Sequence, residues 1–466
     1  MLSAHFPRRF TQVVSALPLA LPDDAFAPFG PDGLSSGDTA WVLTAAALVL
    51  FMTPGLAFFY GGLSRQKSVL NMMMMSFGTL GVVSVIYVLW GYSMSFASAH
   101  TGNSDIAGVF DNPFALFGLS PLLETMEVDG TTLYVLGGFG SVPAIVWAGF
   151  QLTFAVITVA LISGAVAERM KFGTWLVFGG LWATLVYFPL AHMVWGGGLL
   201  SGAADGIAAR LFGVNDEGTA NVSPIDFAGG TVVHINAGMA ALVLALLLGK
   251  RTGFGKIAFR PHNIPFVMLG AAILWFGWFG FNVGSEGAAD MLAGQVWVNT
   301  TAATAAAMLG WLLVERIRDG HATSVGAASG VVAGLVAITP ACGSLSPIGS
   351  LILGGVAGAL SALAVGLKYK LGYDDSLDVV GVHLVAGLWG TVGIGLLATE
   401  TGLFYGGGFE QLVVQVVIAS VAVIFTGIMT TIIAFIVKPL GWRVTAEDED
   451  TGIDETEHAE TAYELV

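Results

Sequence analysis

The string Asp226-Phe-Ala-Gly-Gly-Thr-Val-Val-His-Ile-Asn-Ala-Gly238 recurs in outline at Asp375-Ser-Leu-Asp-Val-Val-Gly-Val-His-Leu-Val-Ala-Gly387. In each copy an aspartate precedes a histidine, His234 or His383, by eight residues, and the histidine sits in the pattern Val-His-x-x-Ala-Gly. Both strings lie in apolar runs of about 20 residues, the length that crosses a hydrocarbon core of about 30 Å. Eleven such runs are found, at about 39–62, 69–96, 138–165, 174–193, 226–248, 264–283, 295–314, 324–342, 348–367, 379–399 and 410–437. The two copies occupy the fifth and the tenth. Five spans apart, they cross the membrane in opposite directions, the signature of an inverted-topology repeat. The sequence therefore predicts an all-α polytopic membrane protein whose spans one to five and six to ten form pseudo-symmetric halves, with span eleven added.

Composition agrees with this reading. Hydrophobic residues make up 55% of the 466 and charged residues 11%, against roughly 25% charged in soluble proteins. Soluble enzymes are thereby excluded. The 64 glycines suit a membrane bundle, where small residues let backbones approach closely; Gly354, Gly355 and Gly358 show the spacing. One membrane domain is predicted over 38–437, preceded by a leader or tail at 1–37 and followed by a tail at 438–466. Cys342 is the single cysteine, so no intrachain disulfide forms. The net charge of −15 gathers in loops and in Glu447 to Glu460, which disfavours nucleic acid as a partner. The same acidity suits a cell living in high salt, where charges on the surface are screened.

Lysine and arginine set the orientation. Alternate connections carry Arg65 and Lys67, Arg169 and Lys171, Lys250 to Arg260, Arg316 and Arg318, Lys368 and Lys370, then Lys438 and Arg443, whereas the other side holds Arg210. The C-terminus is therefore expected in the cytoplasm and the start of the first span outside. Arg8 and Arg9 conflict with that unless they, with the apolar stretch Val13 to Leu21, form a cleaved signal peptide. An uncleaved N-terminal tail is the other reading.

Eight helical residues rise about 12 Å, which puts each histidine near the midplane if its aspartate marks the membrane edge. An ionisable side chain at that depth points to function, and the repeat brings His234 and His383 together in the middle of the bundle. A single such histidine would as readily bond a neighbouring helix; two copies in the same context favour a shared site. Asp226 and Asp375 stand at helix N-termini, where a carboxylate caps amides and meets the positive dipole end. That is a structural role with an electrostatic influence on a pore entrance. Phe150 and Phe154, Trp195 and the run Trp278-Phe-Gly-Phe281 add aromatics that, read singly, are packing or interface anchors.

Together with Pro54-Gly-Leu-Ala-Phe-Phe-Tyr-Gly-Gly62, Gly164-Ala-Val-Ala-Glu-Arg169, Ala191-His-Met-Val-Trp-Gly-Gly-Gly198, Gly277-Trp-Phe-Gly-Phe-Asn282 and Thr339-Pro-Ala-Cys-Gly343, these strings resemble the ammonium transporters of the Amt, Mep and Rhesus superfamily, nearest the bacterial and archaeal Amt branch. The resemblance implies a homotrimer with eleven spans and a separate pore in each subunit. It implies that Phe154, Trp195 and Ser285 form an outer site that recruits ammonium, with Asp226 and Gln151 beside it, and that Phe154 and Phe281 form a stacked gate. It further implies that His234 and His383 are the twin pore histidines and that Trp278 lines the pore. No cofactor or metal is implied. Gly441-Trp-Arg-Val444, Asp454 and Tyr463 are similar to a cytoplasmic tail that couples subunits and, with cytoplasmic loops, meets PII-type regulatory proteins; Trp442 and Ala459 depart from the Leu and Gly usual there.

The chemistry fits these residues. Ring faces attract a cation by about 0.5–2 kcal/mol per contact, but ammonium and potassium differ little in size. Below the gate a bare charge in an apolar lumen faces a desolvation cost of roughly several kcal/mol, which ammonium escapes by giving up a proton. Ammonia then passes the histidines, whose ready proton exchange offers a path for the proton as well. The competing reading is an ammonium sensor that acts through its tail. A metal transporter would need His and Asp ligands closer than their 12 Å spacing allows, since metal–nitrogen bonds are about 2 Å. The run Met72 to Met75 points around all sides of a helix, and no hydrolytic or phosphate-binding motif falls in a span.

Overall fold

The computed structural model describes residues 28–29, 33–102, 104–135 and 140–463. The leader with Arg8, Arg9 and the stretch Val13 to Leu21 lies outside them. Among the described residues ten helices are long and apolar enough to cross a membrane, and an eleventh, Ser324–Ile338, is apolar but shorter. We number them α1 (Ser36–Leu63), α2 (Gln66–Phe96), α3 (Ala144–Val166), α4 (Phe172–Trp195), α5 (Gly230–Leu248), α6 (Ile264–Val283), α7 (Met291–Arg318), α8 (Ser324–Ile338), α9 (Pro347–Leu371), α10 (Val380–Leu397) and α11 (Glu410–Leu440).

Their starts follow from local chemistry. Ser35, Asn263, Asp290, Thr323 and Ser346 each accept a backbone N–H three residues on and so cap α1, α6, α7, α8 and α9, satisfying amides that the first helical turn leaves open. α3 begins at Ala144, directly after Pro143, not at 138 as the apolar run suggests, because a proline is tolerated at a helix start but not inside it. α8 ends at Ile338 and rises only about 22 Å. Beyond it, residues 339–344 turn, and Asn299 Nδ2 on α7 donates to Cys342 O at 2.8 Å and to Leu345 O at 2.7 Å. The expected span 324–342 is thus helix followed by a tethered turn.

Small residues set the helix contacts. α7 lies against α9 where Gly354 meets Ala303 and Gly358 meets Ala307; a Cβ on either glycine would fall 2.1 or 1.9 Å from a carbonyl oxygen. α1 packs on α6 and α3, and α11 closes against α5 and α10. On the outside Leu50, Phe77, Leu246, Phe276, Leu309, Ile424 and Phe435 are exposed. So much apolar surface is stable in lipid rather than water. The molecule is a multi-pass membrane protein.

The two ends differ. Residues 438–463 pack on one end, the tail face. The opposite face carries a hairpin of Thr125–Val128 with Thr131–Val135, joined by Pro28–Phe29, and a short ladder of Asp105–Ile106 with Phe110–Asp111. The chain is therefore not all-α; these strands form outside the spans, in a loop too polar for a helix pattern.

On the tail face three of the loop cations that mark orientation, Arg169, Arg251 and Lys368, are buried and paired. Arg251 makes a bidentate contact with Asp374 at 2.9 Å through Nε and Nη2, and Nη1 meets Glu168 at 3.2 Å. Glu168 also takes Arg65 Nε at 2.6 Å, and Arg169 Nη2 donates to Asp374 O at 2.6 Å. Burial pushes the Asp374 carboxyl up, but the hydrogen bonds and charge of Arg251, with Arg169, prevail and hold it below the usual carboxylate range. The tail binds to this network. Lys171 N donates to Trp442 O, Val444 N to Arg169 O, and Arg443 to Leu248 O, Lys250 O and Glu449.

Removing one partner of a buried ion pair leaves an uncompensated charge, a cost of about 3–5 kcal/mol. Asp374→Ala should therefore lower the melting temperature in detergent far more than Arg318→Ala, whose ion pair is exposed. Because the Asp374 pKa is depressed, its contribution is complete above the ordinary carboxylate range and is lost as pH falls through its own lower value. Melting from pH 7 to pH 3 should show that loss in the native protein and a shallower one in Asp374→Ala.

Candidate functional site

The histidines stand on distorted helix. His234 lies in a π-helical turn, Gly230–Ile235, at the start of α5, and His383 in a second, Val380–Leu384, at the start of α10. Phe281 is on a third, Phe279–Val283, at the end of α6. Such turns widen a helix and re-aim its side chains. The carboxylate of Asp226 collects the amides that precede α5: Oδ1 accepts from Gly229 and Gly230 at 3.1 and 2.5 Å, and Oδ2 from Thr231 and Val232 at 2.9 and 3.1 Å. Asp226 to Gly229 is not helix, so the rise from Asp226 to His234 departs from the ideal helical spacing. Asp375 is buried and accepts from Val380 N at 2.7 Å through Oδ2, while Oδ1 has no hydrogen-bond partner among the described residues.

α5 and α10 cross through the Ala-Gly that follows each histidine. A Cβ on Gly238 would fall 2.5 Å from Leu384 N, and one on Gly387 would fall 3.2 Å from His234 Cβ. Each copy of the motif thus makes room for the other. The result brings His234 Nδ1 within 3.3 Å of His383 Nδ1, with ring centroids 5.4 Å apart and planes 23° from parallel. One of the two must donate and the other accept. Trp278 stacks on His234 at 5.4 Å and 16°, its own Nε1 donating to Thr339 Oγ1 at 2.8 Å. His234 Nε2 is buried without a partner among the described residues.

The pair lines a closed lumen together with Trp278, Phe281, Ile157, Leu161, Leu274 and Val332; its volume is about 10 Å³, room for about one water-sized sphere. Phe154 and Phe281 stack over it, centroids 4.1 Å apart and planes 23° from parallel. Beyond the stack, toward the face opposite the tail, a cavity of about 350 Å³ is lined by Trp195, Ser285, Gln151, Tyr92, Phe96, Ala99, His100, Trp147, Val194 and Phe227. Trp195 is edge-on to Phe154 at 6.2 Å and donates through Nε1 to Asp226 O at 2.8 Å. Ser285 donates to Phe281 O at 2.8 Å, leaving its lone pairs for a donor. Gln151 Oε1 is buried with no partner among the described residues.

The structure thus joins Trp195, Ser285 and Gln151 at one cavity and Phe281, Trp278, His234 and His383 at the lumen behind it, with Phe154 buried between Trp195 and Phe281. Asp226 meets the site only through its backbone carbonyl, which accepts from Trp195 Nε1, since four amides take up its carboxylate, and Asp375 sits on the tail side. Sequence reasoning missed Tyr92, Phe96, His100, Trp147 and Phe227. Burial drives His100, against the opposing pull of Asp111, down to about 4; its Nε2 lies 2.9 Å from the Tyr92 hydroxyl. No sequence spacing links these residues to the site. Glu286, next to Ser285, is half-buried, and burial with Asp290 nearby pushes its carboxyl up to about 7.

Fold and site together define a membrane protein with a cavity lined by polar and aromatic groups on one side, an aromatic stack, and a narrow apolar lumen holding two imidazoles. The model of the Ammonium Transporter Family matches residues 40–463, and the chain belongs to that family. It is similar to an ammonium transporter of Mycobacterium tuberculosis, with 56% identity over 93% of this chain and 91% of the relative. Among solved structures it is similar to Mep2 of Candida albicans, with a TM-score of 0.77 and 32% identity over 90% of this chain and 88% of that one. It is also similar to a sensor Amt protein, with a TM-score of 0.76 and 26% identity over 91% of this chain and 98% of that one.

The helix crossing gives a prediction that separates the two glycines. Gly238→Ala forces the backbone of α10 away and should destabilise by about 1–3 kcal/mol, the range for overpacking, whereas Gly387→Ala needs only a few tenths of an ångström. Melting temperatures in detergent should fall more for Gly238→Ala than for Gly387→Ala.

Proposed function

We propose that the protein transports ammonium into the cell, recruiting the cation in the open cavity and passing ammonia through the lumen. The observation that carries the reading is the His234–His383 pair, 3.3 Å apart in an otherwise apolar channel behind a stacked aromatic pair. The names of the relatives, ammonium transporters from several bacteria, support the substrate.

Each residue acts by its chemistry. The face of Trp195 attracts a cation, while Ser285 Oγ and the free Gln151 Oε1 accept the hydrogen bonds that ammonium, unlike potassium, can give. Phe154 and Phe281 must part for anything to descend, and they hold water back when closed. Below them a bare charge faces a desolvation cost of roughly several kcal/mol. Ammonium gives a proton there to the imidazole pair and is left as ammonia; potassium has none to give. Ammonia then meets His234 and His383, which offer one acceptor and one donor. The proton exchanged between facing Nδ1 atoms gives it a path of its own, so transport carries net charge.

The same reading assigns the tail face to the cytoplasm, on its excess of lysine and arginine, with the N-terminus of α1 outside. It takes α1 to α5 and α6 to α10 as inverted halves related through the His234 and His383 motifs, with α8 completing eleven spans and α11 added. The chain works as a homotrimer with one pore per subunit, and 438–466 form a cytoplasmic regulatory tail that meets a PII-type protein. A sensor is the second reading, favoured by the likeness to a sensor Amt protein; it predicts ammonium binding without sustained flux.

Replacing His234 or His383 with Ala removes the donor–acceptor pair and opens the lumen to water. In proteoliposomes the ammonium current should then fall at least severalfold or lose its preference over potassium. Unchanged current and unchanged preference in both variants would refute the histidine mechanism.

Glu286 adds a pH dependence. As pH rises through about 7 its carboxyl ionises, adding negative charge beside Ser285 and favouring the cation there. The apparent affinity for ammonium should therefore improve between pH 6 and 8, and Glu286→Gln should flatten that trend. The same slope in the variant would remove Glu286 from the account.

A further inference from the structure

His192 lies one helical turn before Trp195 on α4, is buried, and is absent from the transport chemistry above. Its ring meets acceptors at both nitrogens. Nε2 is 2.7 Å from Asp105 Oδ1, and Nδ1 is 3.4 Å from Asp111 Oδ2 and 3.3 Å from Ser95 O. Each carboxylate also organises the loop that carries it. Asp105 accepts from Gly108 N at 2.9 Å, and Asp111 from Ser98 N at 2.7 Å and from the Ser98 hydroxyl. This loop supplies Ala99 and His100 to the wall of the recruiting cavity.

The glycines after Trp195 fold back over the same ring. Gly198 N donates to His192 O at 3.1 Å. A Cβ on Gly196 would fall 2.7 Å from His192 Nδ1 and 2.1 Å from Ser95 O, and one on Gly198 would fall 2.4 Å from Gly108 O. The helix end bearing Trp195, the glycine turn and the loop bearing His100 therefore converge on one imidazole.

A metal ion is the obvious alternative for a histidine with two aspartates. The three ligand atoms lie within 4.8 Å of one another, but Asp105 faces Nε2 and Asp111 faces Nδ1, so an ion held by one ring nitrogen and both carboxylates would have to displace one of these two contacts. We infer that His192 is a positioning residue for ammonium recruitment: bracketed by Asp105 and Asp111, it fixes Trp195 and the His100 loop at the spacing the cavity needs. It acts through those groups and touches no substrate. This inference rests on the recruitment role proposed for the cavity.

Two amide replacements dissect it. Gln at 192 places its amide near the Nε2 position and keeps a donor for Asp105; Asn places it near Nδ1 and keeps one for Asp111 and Ser95. Neither serves both sides. In proteoliposome currents titrated with external ammonium, His192→Gln, His192→Asn and Asp105→Asn should each raise the half-saturating concentration about tenfold, the ratio that a loss of about one charge-assisted hydrogen bond gives. The maximal current per folded protein should stay within about twofold of the native value, the step past the histidine pair being untouched.

An unchanged half-saturation with a lower maximal current in all three would mark the cluster as merely structural and overturn the inference. Saturable stabilisation of the native protein by Zn²⁺, absent in His192→Gln, would make it a metal site and overturn it equally. If the native protein gives no ammonium current but binds ammonium at equilibrium, the transport reading fails and recruitment stands; binding weakened tenfold in the three variants would then support the role of His192, and unchanged binding would overturn it.

Discussion

The crossing of α5 and α10 is the constraint on which the rest depends. Two helices in lipid have no hydrophobic force between them, so they approach only where side chains are small. Here the approach is made by Gly238 and Gly387, each lying against the other helix beside its histidine. Without that approach two imidazoles would not share a hydrogen bond in an apolar lumen, and each would have to find another partner or stay solvated. The π-turns belong to the same constraint. They let His234, His383 and Phe281 point inward from helices that otherwise run straight, at the cost of regular backbone bonding.

Around this crossing the protein separates polar from apolar work. Hydrogen-bonding capacity is placed where a cation would still keep water: Ser285, Gln151 and the Trp195 ring at a cavity of about 350 Å³. The lumen beyond is narrow and lined mainly by hydrocarbon and ring carbon. Charged groups lie at the ends, where they are satisfied by their neighbours. Asp226 is saturated by four amides, and Asp374 and Glu168 are balanced by Arg251 and Arg65 on the tail face. The tail is built onto that network rather than free of it. Asp454 accepts from Leu70 N and Asn71 N in the first turns of the α2 segment at 3.0 and 2.7 Å, and His458 Nε2 lies 3.0 Å from Asn71 Oδ1. A regulator that draws the tail away would therefore act directly on the start of α2.

Much of this was legible in the sequence, for identifiable reasons. Apolar length gave most of the spans to within a few residues, and repeated context singled out His234 and His383 where one histidine alone would have been ambiguous. Phe154, Trp195, Ser285 and Phe281 drew meaning from family likeness, not from their spacing. What stayed hidden depends on tertiary contact. Tyr92, His100 and Trp147 reach the cavity from the end of one helix, a polar loop and the start of another. His192 looked like part of a motif around Trp195, and nothing in its neighbours announced Asp105 and Asp111, some eighty residues earlier in the chain. Glu168, Arg251 and Asp374 read as loop charges because pairing across 83 and 123 residues leaves no local pattern. The shortened α8 was hidden because no charged residue interrupts Thr339-Pro-Ala-Cys342 after it.

The central claim is that ammonium is admitted as a cation and crosses the histidine pair as ammonia with its proton. It is tested most directly by the transient current of purified protein in liposomes after an ammonium jump, with an equal potassium jump as control and the internal pH followed by a trapped dye. The account predicts current for ammonium, none for potassium, and little internal alkalinisation. A potassium current of similar size would contradict it, as would strong alkalinisation without current.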